Sequence, residues 1–235
     1  MTHPKILMIA TSADKLTNGE PTGVWLEELT TPYYAFVDGG ADVTVASMAG
    51  GAIPVDARSV AADGDNDASV ERYLKDPDLK KKVAETPAFD DIDTSGFDAV
   101  FLPGGHGTMF DYPTSDALAS LIETFDGEGK VVSAVCHGPA GLVQAKTPAG
   151  DPFVKGKRVA GFTDSEEHAV GLQDAVPFLL ETRLRELGAQ VQTAPDFQVF
   201  AIRDGNLVTG QNPASAGKTA ALVLKALSER AESAA

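Results

Sequence analysis

Short apolar runs recur along the chain, and each is followed by a turn-forming stretch and then by a segment of helical composition. The first run, KILMIAT, shows no alternation of polar and apolar residues, which is the pattern of a central parallel strand buried on both faces. Strands are predicted at residues 5–11, 41–46, 97–103, 131–135 and 157–161. Strands that alternate with helices predict an α/β fold, here a flavodoxin-like, doubly wound, mostly parallel sheet with helices on both faces.

Helices are predicted between the strands and after them. They lie at residues 24–37, with a break near Pro32, and at 70–85, 114–125, 178–187 and 215–231. Residues 48–95 are the least regular part of the chain, because they combine the acidic stretch DGDND with a turn at Pro87. We interpret residues 48–95 as a surface elaboration at one edge of the sheet, within one domain that spans residues 1–235.

Composition and charge restrict the partners that the chain can have. Its 235 residues are 43% hydrophobic, which is enough to bury one sizeable core. The net charge of −15 argues against a nucleic-acid partner, since phosphate binding needs clustered Lys and Arg. One cysteine excludes an intramolecular disulfide and the common zinc patterns, and no apolar run is long enough to cross a bilayer. We therefore expect no metal, no membrane partner and a cytoplasmic location.

The one cysteine of the chain, Cys136, stands where a buried strand must turn into a helix. His137, Gly138 and Pro139 follow it, and glycine and proline suit a tight turn and the first positions of a helix. Such a turn is a nucleophile elbow, which exposes a side chain at the carboxyl end of the sheet. A lone cysteine is most often an inert buried residue, but this context favours a nucleophile whose thiolate a helix N-terminus stabilises.

A second turn of interest, Gly104, Gly105 and His106, directly follows the third predicted strand. The carboxyl ends of parallel strands meet at one edge of a sheet, so this turn is expected opposite Cys136. Backbone N–H groups near Gly105 and from His137 could then converge on a developing oxyanion. Neither glycine-rich turn matches a phosphate-binding or dinucleotide pattern, and we predict no nucleotide cofactor.

Acidic residues open two predicted helices near the same edge. Glu27 and Glu28 lie in the first helix, while Asp164, Glu166 and Glu167 follow the fifth strand. Acidic side chains in a first turn usually cap the helix or interact with its dipole. The residues alone therefore leave open which of these five groups takes part in chemistry.

Four segments together resemble one known family. They are TGVWLEELTTPYYAF, FLPGGHGTMFDY, AVCHGPAGL and GFTDSEEHAVG. They resemble the ThiJ/PfpI branch of the class I glutamine amidotransferase-like superfamily, over nearly the whole chain. The long insert before residue 96 and the segment GFTDSEE are most similar to its larger members, which are described as glutathione-independent glyoxalases (glyoxalase III), protein deglycases and holding chaperones.

The resemblance implies a role for four side chains. Cys136 would be the nucleophile and His137 the proton carrier. Glu28, four residues before a proline, would contact the reactive cysteine and act as acid or base beside it. Glu167 would orient His137, although its acidic neighbours in GFTDSEE stay open as alternatives. No cofactor is implied.

The activity that the resemblance implies is a glyoxalase III-like lyase reaction on a small aldehyde. Cys136 would attack methylglyoxal, and the hemithioacetal would rearrange and hydrolyse to lactate without glutathione. The alternatives are a protein deglycase, a weak cysteine peptidase, and a stress-response holding chaperone or redox-sensing dimer. Apolar residues crowd the first predicted helix, and either a homodimer surface or core packing explains them. They are Val24, Trp25, Leu26, Leu29, Tyr33 and Tyr34.

Overall fold

The computed structural model describes residues 3–62 and 64–233, and its strands form one large sheet and one small one. Within these residues the strands are β1 (Lys5–Ala10), β2 (Asp42–Ser47), β3 (Ala99–Leu102), β4 (Val131–Val135), β5 (Arg158–Val159), β6 (Gln190–Val191), β7 (Ala201–Asp204) and β8 (Leu207–Gly210). The large sheet has the order β2-β1-β3-β4-β8-β7, with only β7 antiparallel to its neighbour. The predicted flavodoxin-like, mostly parallel sheet is confirmed.

Helices cover both faces of the large sheet. Within the described residues they are α1 (Leu26–Asp38), α2 (Ala68–Leu74), α3 (Pro77–Ala84), α4 (Thr108–Asp111), α5 (Asp116–Gly127), α6 (Asp164–Val170), α7 (Leu180–Glu186) and α8 (Ala216–Ser233). Alternate residues of β1 belong to different core layers: Leu7 packs in the layer of α5 and α7, and Ile6 in the layer of α1 and α8. Burial on both faces explains why β1 is apolar from Ile6 to Ala10.

Three details of the predicted elements are wrong. Helix α1 runs unbroken through Pro32, because both flanking turns are buried and their packing outweighs one lost backbone bond. The single helix expected at residues 70–85 is two helices, because Asp76 is the N-cap of a new helix, α3, whose first residue is Pro77. The strand expected at residues 157–161 is shorter, since only β5 (Arg158–Val159) forms there, and it pairs with β6 outside the large sheet. Its neighbour Ala160 instead donates a backbone N–H to the Thr209 hydroxyl of β8.

The elaboration at residues 48–95 is fastened to the start of α1. Val24 donates its N–H to the Pro54 carbonyl at 2.8 Å, and Asp56 donates its N–H to the Val24 carbonyl at 3.0 Å. The Ser59 hydroxyl then accepts the N–H of Leu26, the first residue of α1. Strand-like contacts and a cap from outside the helix thus fix where α1 begins.

The apolar residues near the start of α1 lie in the core, apart from the half-buried Trp25. Core packing therefore accounts for them without a partner chain. The prediction of one domain over residues 1–235 stays a prediction, and its terminal residues 1–2 and 234–235 lie outside the described residues. No helix among the described residues is long and apolar enough to span a membrane.

Candidate active site

Cys136 occupies a strained turn at the carboxyl end of the fully buried strand β4. Its φ is +59°, a left-handed conformation that costs a residue with a β-carbon about 1–3 kcal/mol. Two backbone bonds hold it: Cys136 donates its N–H to the Gly210 carbonyl at 3.0 Å and accepts the N–H of Phe162 at 2.8 Å. The chain then continues as a short 3₁₀ helix, Gly138–Leu142. This is the sharp geometry expected of an elbow.

The thiol of Cys136 is buried, with 3% of the residue exposed. Burial raises the pKa of this thiol well above its ordinary value, and the neighbouring Glu28 raises it further. The direction of this shift is opposite to the one expected from a helix N-terminus, which would stabilise the thiolate. The following helix is a single short 3₁₀ segment, and desolvation has the larger effect. A base is needed to remove the thiol proton during reaction.

Glu28 lies in the first turn of α1 and is fully buried beside Cys136. Burial raises the pKa of its carboxyl well above the usual range, and the hydrogen bonds from Cys136 and Gly104 offset only part of that shift. The carboxyl is thus held protonated. Its Oε2 accepts the Gly104 N–H at 2.8 Å, whereas Oε1 has no hydrogen-bond partner among the described residues. The neighbouring Glu27 is only half-buried.

The turn at Gly104 and Gly105 passes between Glu28 and the elbow with no room for side chains. A β-carbon at Gly104 would lie 2.5 Å from Glu28 Oε2 and 2.7 Å from the His137 nitrogen. Gly105 has a φ of +101°, and its backbone amide lowers the pKa of the Cys136 thiol, against the larger effect of burial. A β-carbon at Gly105 would lie 2.4 Å from the Gly23 carbonyl oxygen and from the Trp25 nitrogen, so glycine is required at both positions.

His137 links the thiol to a carboxylate. Its Nδ1 lies 3.3 Å from Cys136 Sγ, and its Nε2 lies 2.7 Å from Glu167 Oε2. Two imidazoles hold the pKa of Glu167 well below its usual range despite its burial, so the carboxylate is ionised and accepts a hydrogen from Nε2. His137 Nδ1 then carries the lone pair that faces the thiol.

The other acidic candidates of GFTDSEE contact different partners. Glu166 is fully buried and accepts hydrogen bonds from the Phe197 N–H at 2.7 Å and the Asn212 amide at 2.9 Å. It also completes the capping box of α6 with Thr163. Asp164 accepts from Thr182 instead. Of the three acidic residues, only Glu167 reaches His137.

His106 reaches the same carboxylate, and sequence reasoning missed this contact. Its Nε2 lies 2.7 Å from Glu167 Oε1, and its ring centroid is 4.1 Å from that of His137. The sequence placed His106 only in the glycine-rich turn, as part of a binding loop. A histidine directly after two glycines at a strand end was the available signal.

Phe162 packs on His137, and three side chains of the site are of the types that ligate metal ions. The Phe162 ring lies over His137, with centroids 4.4 Å apart, and keeps water from that side of the imidazole. His106, His137 and Glu167 could together hold a metal ion, since their ligand atoms lie within 4.8 Å of one another. The short contacts between them are instead those of hydrogen bonds. That no metal is needed stays a prediction.

Known proteins resemble this chain over almost its whole length. The model of the DJ-1/PfpI family matches residues 21–226. Glyoxalase 3 of Candida albicans is 32% identical over 94% of this chain and 98% of its own length. The glutathione-independent glyoxalase HSP31 of Saccharomyces cerevisiae is 33% identical over 97% of this chain and 99% of its own length. The X-ray structure of the 24 kDa rapid encystment protein of Francisella tularensis superposes with a TM-score of 0.91 at 37% identity, over 95% of this chain and 99% of that one. The resemblance seen in the sequence is confirmed, and the chain belongs to the DJ-1/PfpI family.

Proposed function

We propose that the protein is a glutathione-independent glyoxalase that converts methylglyoxal to lactate through a hemithioacetal on Cys136. One observation carries the proposal: a buried thiol has a histidine base on one side and a protonated Glu28 on the other. Relatives named as glutathione-independent glyoxalases, which match nearly the full chain, support it. Glutathione is not needed, because the protein supplies the thiol.

The first step joins the thiol to the aldehyde. As the sulfur of Cys136 attacks the aldehyde carbon, its proton passes to His137 Nδ1, and Glu167 stabilises the imidazolium that forms. The C–S bond forms while the π bond of the carbonyl breaks, and the oxygen takes the proton of Glu28. The amides of Gly105 and His137 are suited to stabilise charge on that oxygen before it is protonated. The product is a hemithioacetal with Glu28 ionised.

The second step moves hydrogen between the two carbons of the bound substrate. The Glu28 carboxylate takes the proton of the thiol-bearing carbon, while His137 protonates the ketone oxygen, and an enediol results. Glu28 then delivers a proton to the second carbon and recovers one from the hydroxyl of the first carbon, which leaves a thioester. Water cleaves the C–S bond, so that lactate and the Cys136 thiol are released.

The test measures methylglyoxal consumption and lactate formation by the pure protein without glutathione. The wild type should turn over, and Cys136→Ala should lose activity to the level of buffer. Cys136→Ala keeps a β-carbon in the strained turn, so its fold can be compared directly. Turnover retained by Cys136→Ala would contradict the proposal. A redox-sensing role is less well supported, since sensor cysteines are exposed and have low pKa values, whereas Cys136 is buried.

We also propose a homodimer and a cytoplasmic location, as the sequence suggested. Nothing in the described residues identifies the dimer surface, because the apolar residues of α1 lie mostly in the core. Sedimentation at micromolar concentration tests the dimer directly. A monomer throughout the concentration range would refute it.

A further inference from the structure

Two imidazoles share one buried carboxylate in the site, and the reaction described above uses only one of them. Glu167 Oε2 contacts His137 and Glu167 Oε1 contacts His106, each at 2.7 Å. All three side chains are at least nine-tenths buried. Among the described residues no other group makes a hydrogen bond to this carboxyl. His106 thus makes half of the bonds that fix Glu167.

The protonation of His106 follows from its surroundings. Burial and the neighbouring His137 lower its pKa to about 4, and Glu167 opposes them only partly. The other charged group that acts on it, Arg58, also lowers the pKa. The ring is therefore neutral and carries one hydrogen. Because an ionised Glu167 can only accept, that hydrogen is on Nε2. Nδ1 has no partner among the described residues.

A permanent N–H donor on Oε1 has two physical effects on the carboxylate. It fixes the carboxyl plane, because rotation would break two short bonds instead of one. It also makes the carboxylate less basic, since a hydrogen bond to an anion stabilises the ionised form. The proton that His137 takes from the thiol then stays on His137 and does not pass on to Glu167.

We propose that His106 is a positioning residue, whose Nε2–H fixes Glu167 so that Oε2 meets His137 in the orientation needed for proton transfer with Cys136. For turnover this inference rests on the proposed glyoxalase reaction. For the thiol itself it does not, because proton transfer between Cys136 and His137 can be followed by alkylation alone.

Two substitutions separate the hydrogen bond from the packing of the ring. His106→Gln keeps an N–H donor at nearly the reach of Nε2 and loses the ring, while His106→Phe keeps a ring and loses the donor. We expect His106→Gln to stay within about threefold of the wild-type kcat, and His106→Phe to fall roughly tenfold to a hundredfold, the range for a lost orienting partner. The loss should appear in kcat, with KM nearly unchanged.

The dependence of kcat/KM on pH would not change if His106 had a purely structural role. Without the His106 donor, Glu167 interacts more strongly with His137 and favours its protonated form. The acid limb of kcat/KM should therefore move to higher pH in His106→Phe and stay in place in His106→Gln. The rate of Cys136 alkylation by iodoacetamide, measured against pH, should show the same shift without any substrate.

A double variant tests the path of the effect. In a Glu167→Gln background, His106→Phe should cause little further loss, because both changes act through one carboxyl. The inference is overturned if His106→Phe keeps the wild-type kcat and pH profile. It is also overturned if kcat falls as far in His106→Gln as in His106→Phe. If methylglyoxal is not consumed but the alkylation profiles differ as described, the proposed glyoxalase function fails and the positioning role stands.

Discussion

At the scale of single residues, the site depends on two neutral acids placed side by side. Burial raises the pKa of both Cys136 and Glu28. Glu28 raises the pKa of the thiol further, whereas the hydrogen bond from Cys136 offsets part of the shift of Glu28. Neither needs to be ionised at rest, since His137 can take the thiol proton only as the sulfur attacks. The thiol is thus protected from unspecific alkylation and oxidation, which act on the thiolate.

Glu28→Gln tests the role of the protonated carboxyl. The substitution keeps the shape and a hydrogen-bond donor but removes the exchangeable proton, so kcat should fall by roughly 10²–10⁴, the typical loss of a general acid-base group. The midpoint of Cys136 alkylation against pH should also move lower, because Glu28 raises the pKa of the thiol and an amide, which cannot ionise, has no charge to do so. Turnover measured without glutathione checks the first result. Near-normal turnover would show that the proton path runs through His137 alone.

At the scale of elements, helix α1 depends on the elaboration for its N-terminal cap. Trp25, its own N-cap residue, makes no side-chain cap bond. The Ser59 hydroxyl accepts the first N–H of the helix at 3.1 Å and donates to the Asp56 carbonyl at 2.6 Å. Asp56 is buried and bonded to Thr22 and Arg58. Residues far from the thiol in sequence thus determine where Glu28 lies.

Ser59→Ala should therefore affect both stability and activity. The lost cap is expected to cost about 1 kcal/mol and to lower kcat, because Glu28 is in the turn that the cap fixes. Ser115→Ala is the matched control, since Ser115 caps α5 through the Leu118 N–H at 3.1 Å but contacts no site residue. It should lose similar stability and keep full turnover. Equal kcat in the two variants would contradict a positioning role of the elaboration.

At the scale of the whole molecule, the site forms where the ends of β1, β3 and β4 meet, so the fold and the site share one buried layer. The charge on Glu28 is therefore linked to global stability. Its pKa is higher in the folded than in the unfolded chain. Folding thus favours the protonated form of Glu28. The stability that this carboxyl contributes is complete below its pKa in the unfolded chain, and it is lost as the pH rises towards its pKa in the folded chain.

Glu28→Gln should consequently be more stable than the wild type at neutral pH. The gain should be largest at pH values where the unfolded chain ionises this carboxyl and the folded chain does not. The difference should shrink as pH falls and vanish below the ordinary pKa of glutamate. Urea unfolding of both proteins at several pH values measures it. A gain that is constant with pH would mean that the packing of Gln, not titration, is its cause.

The sequence predicted the large sheet and the elbow because buried, mostly apolar strands leave a pattern that needs no tertiary information. Pro32 and residues 157–161 were misjudged, because packing decided whether a helix continues and which sheet a strand joins. The Glu167 contact with His106 depends on the turn after β3 meeting the first turn of α6 in space, and no local pattern encodes it. Likewise, the raised pKa of Cys136 follows from the depth of burial, which one cysteine in a sequence does not reveal.

The left-handed conformation of Cys136 has a consequence for engineering. Its cost of about 1–3 kcal/mol is a sizeable part of the roughly 5–15 kcal/mol that keeps a domain folded, and glycine adopts such a φ without that cost. A directed-evolution experiment that selected this protein for heat resistance alone would therefore remove the strain at position 136. Selection rounds that alternate heat with an assay of the thiol would be needed to keep both properties in one variant.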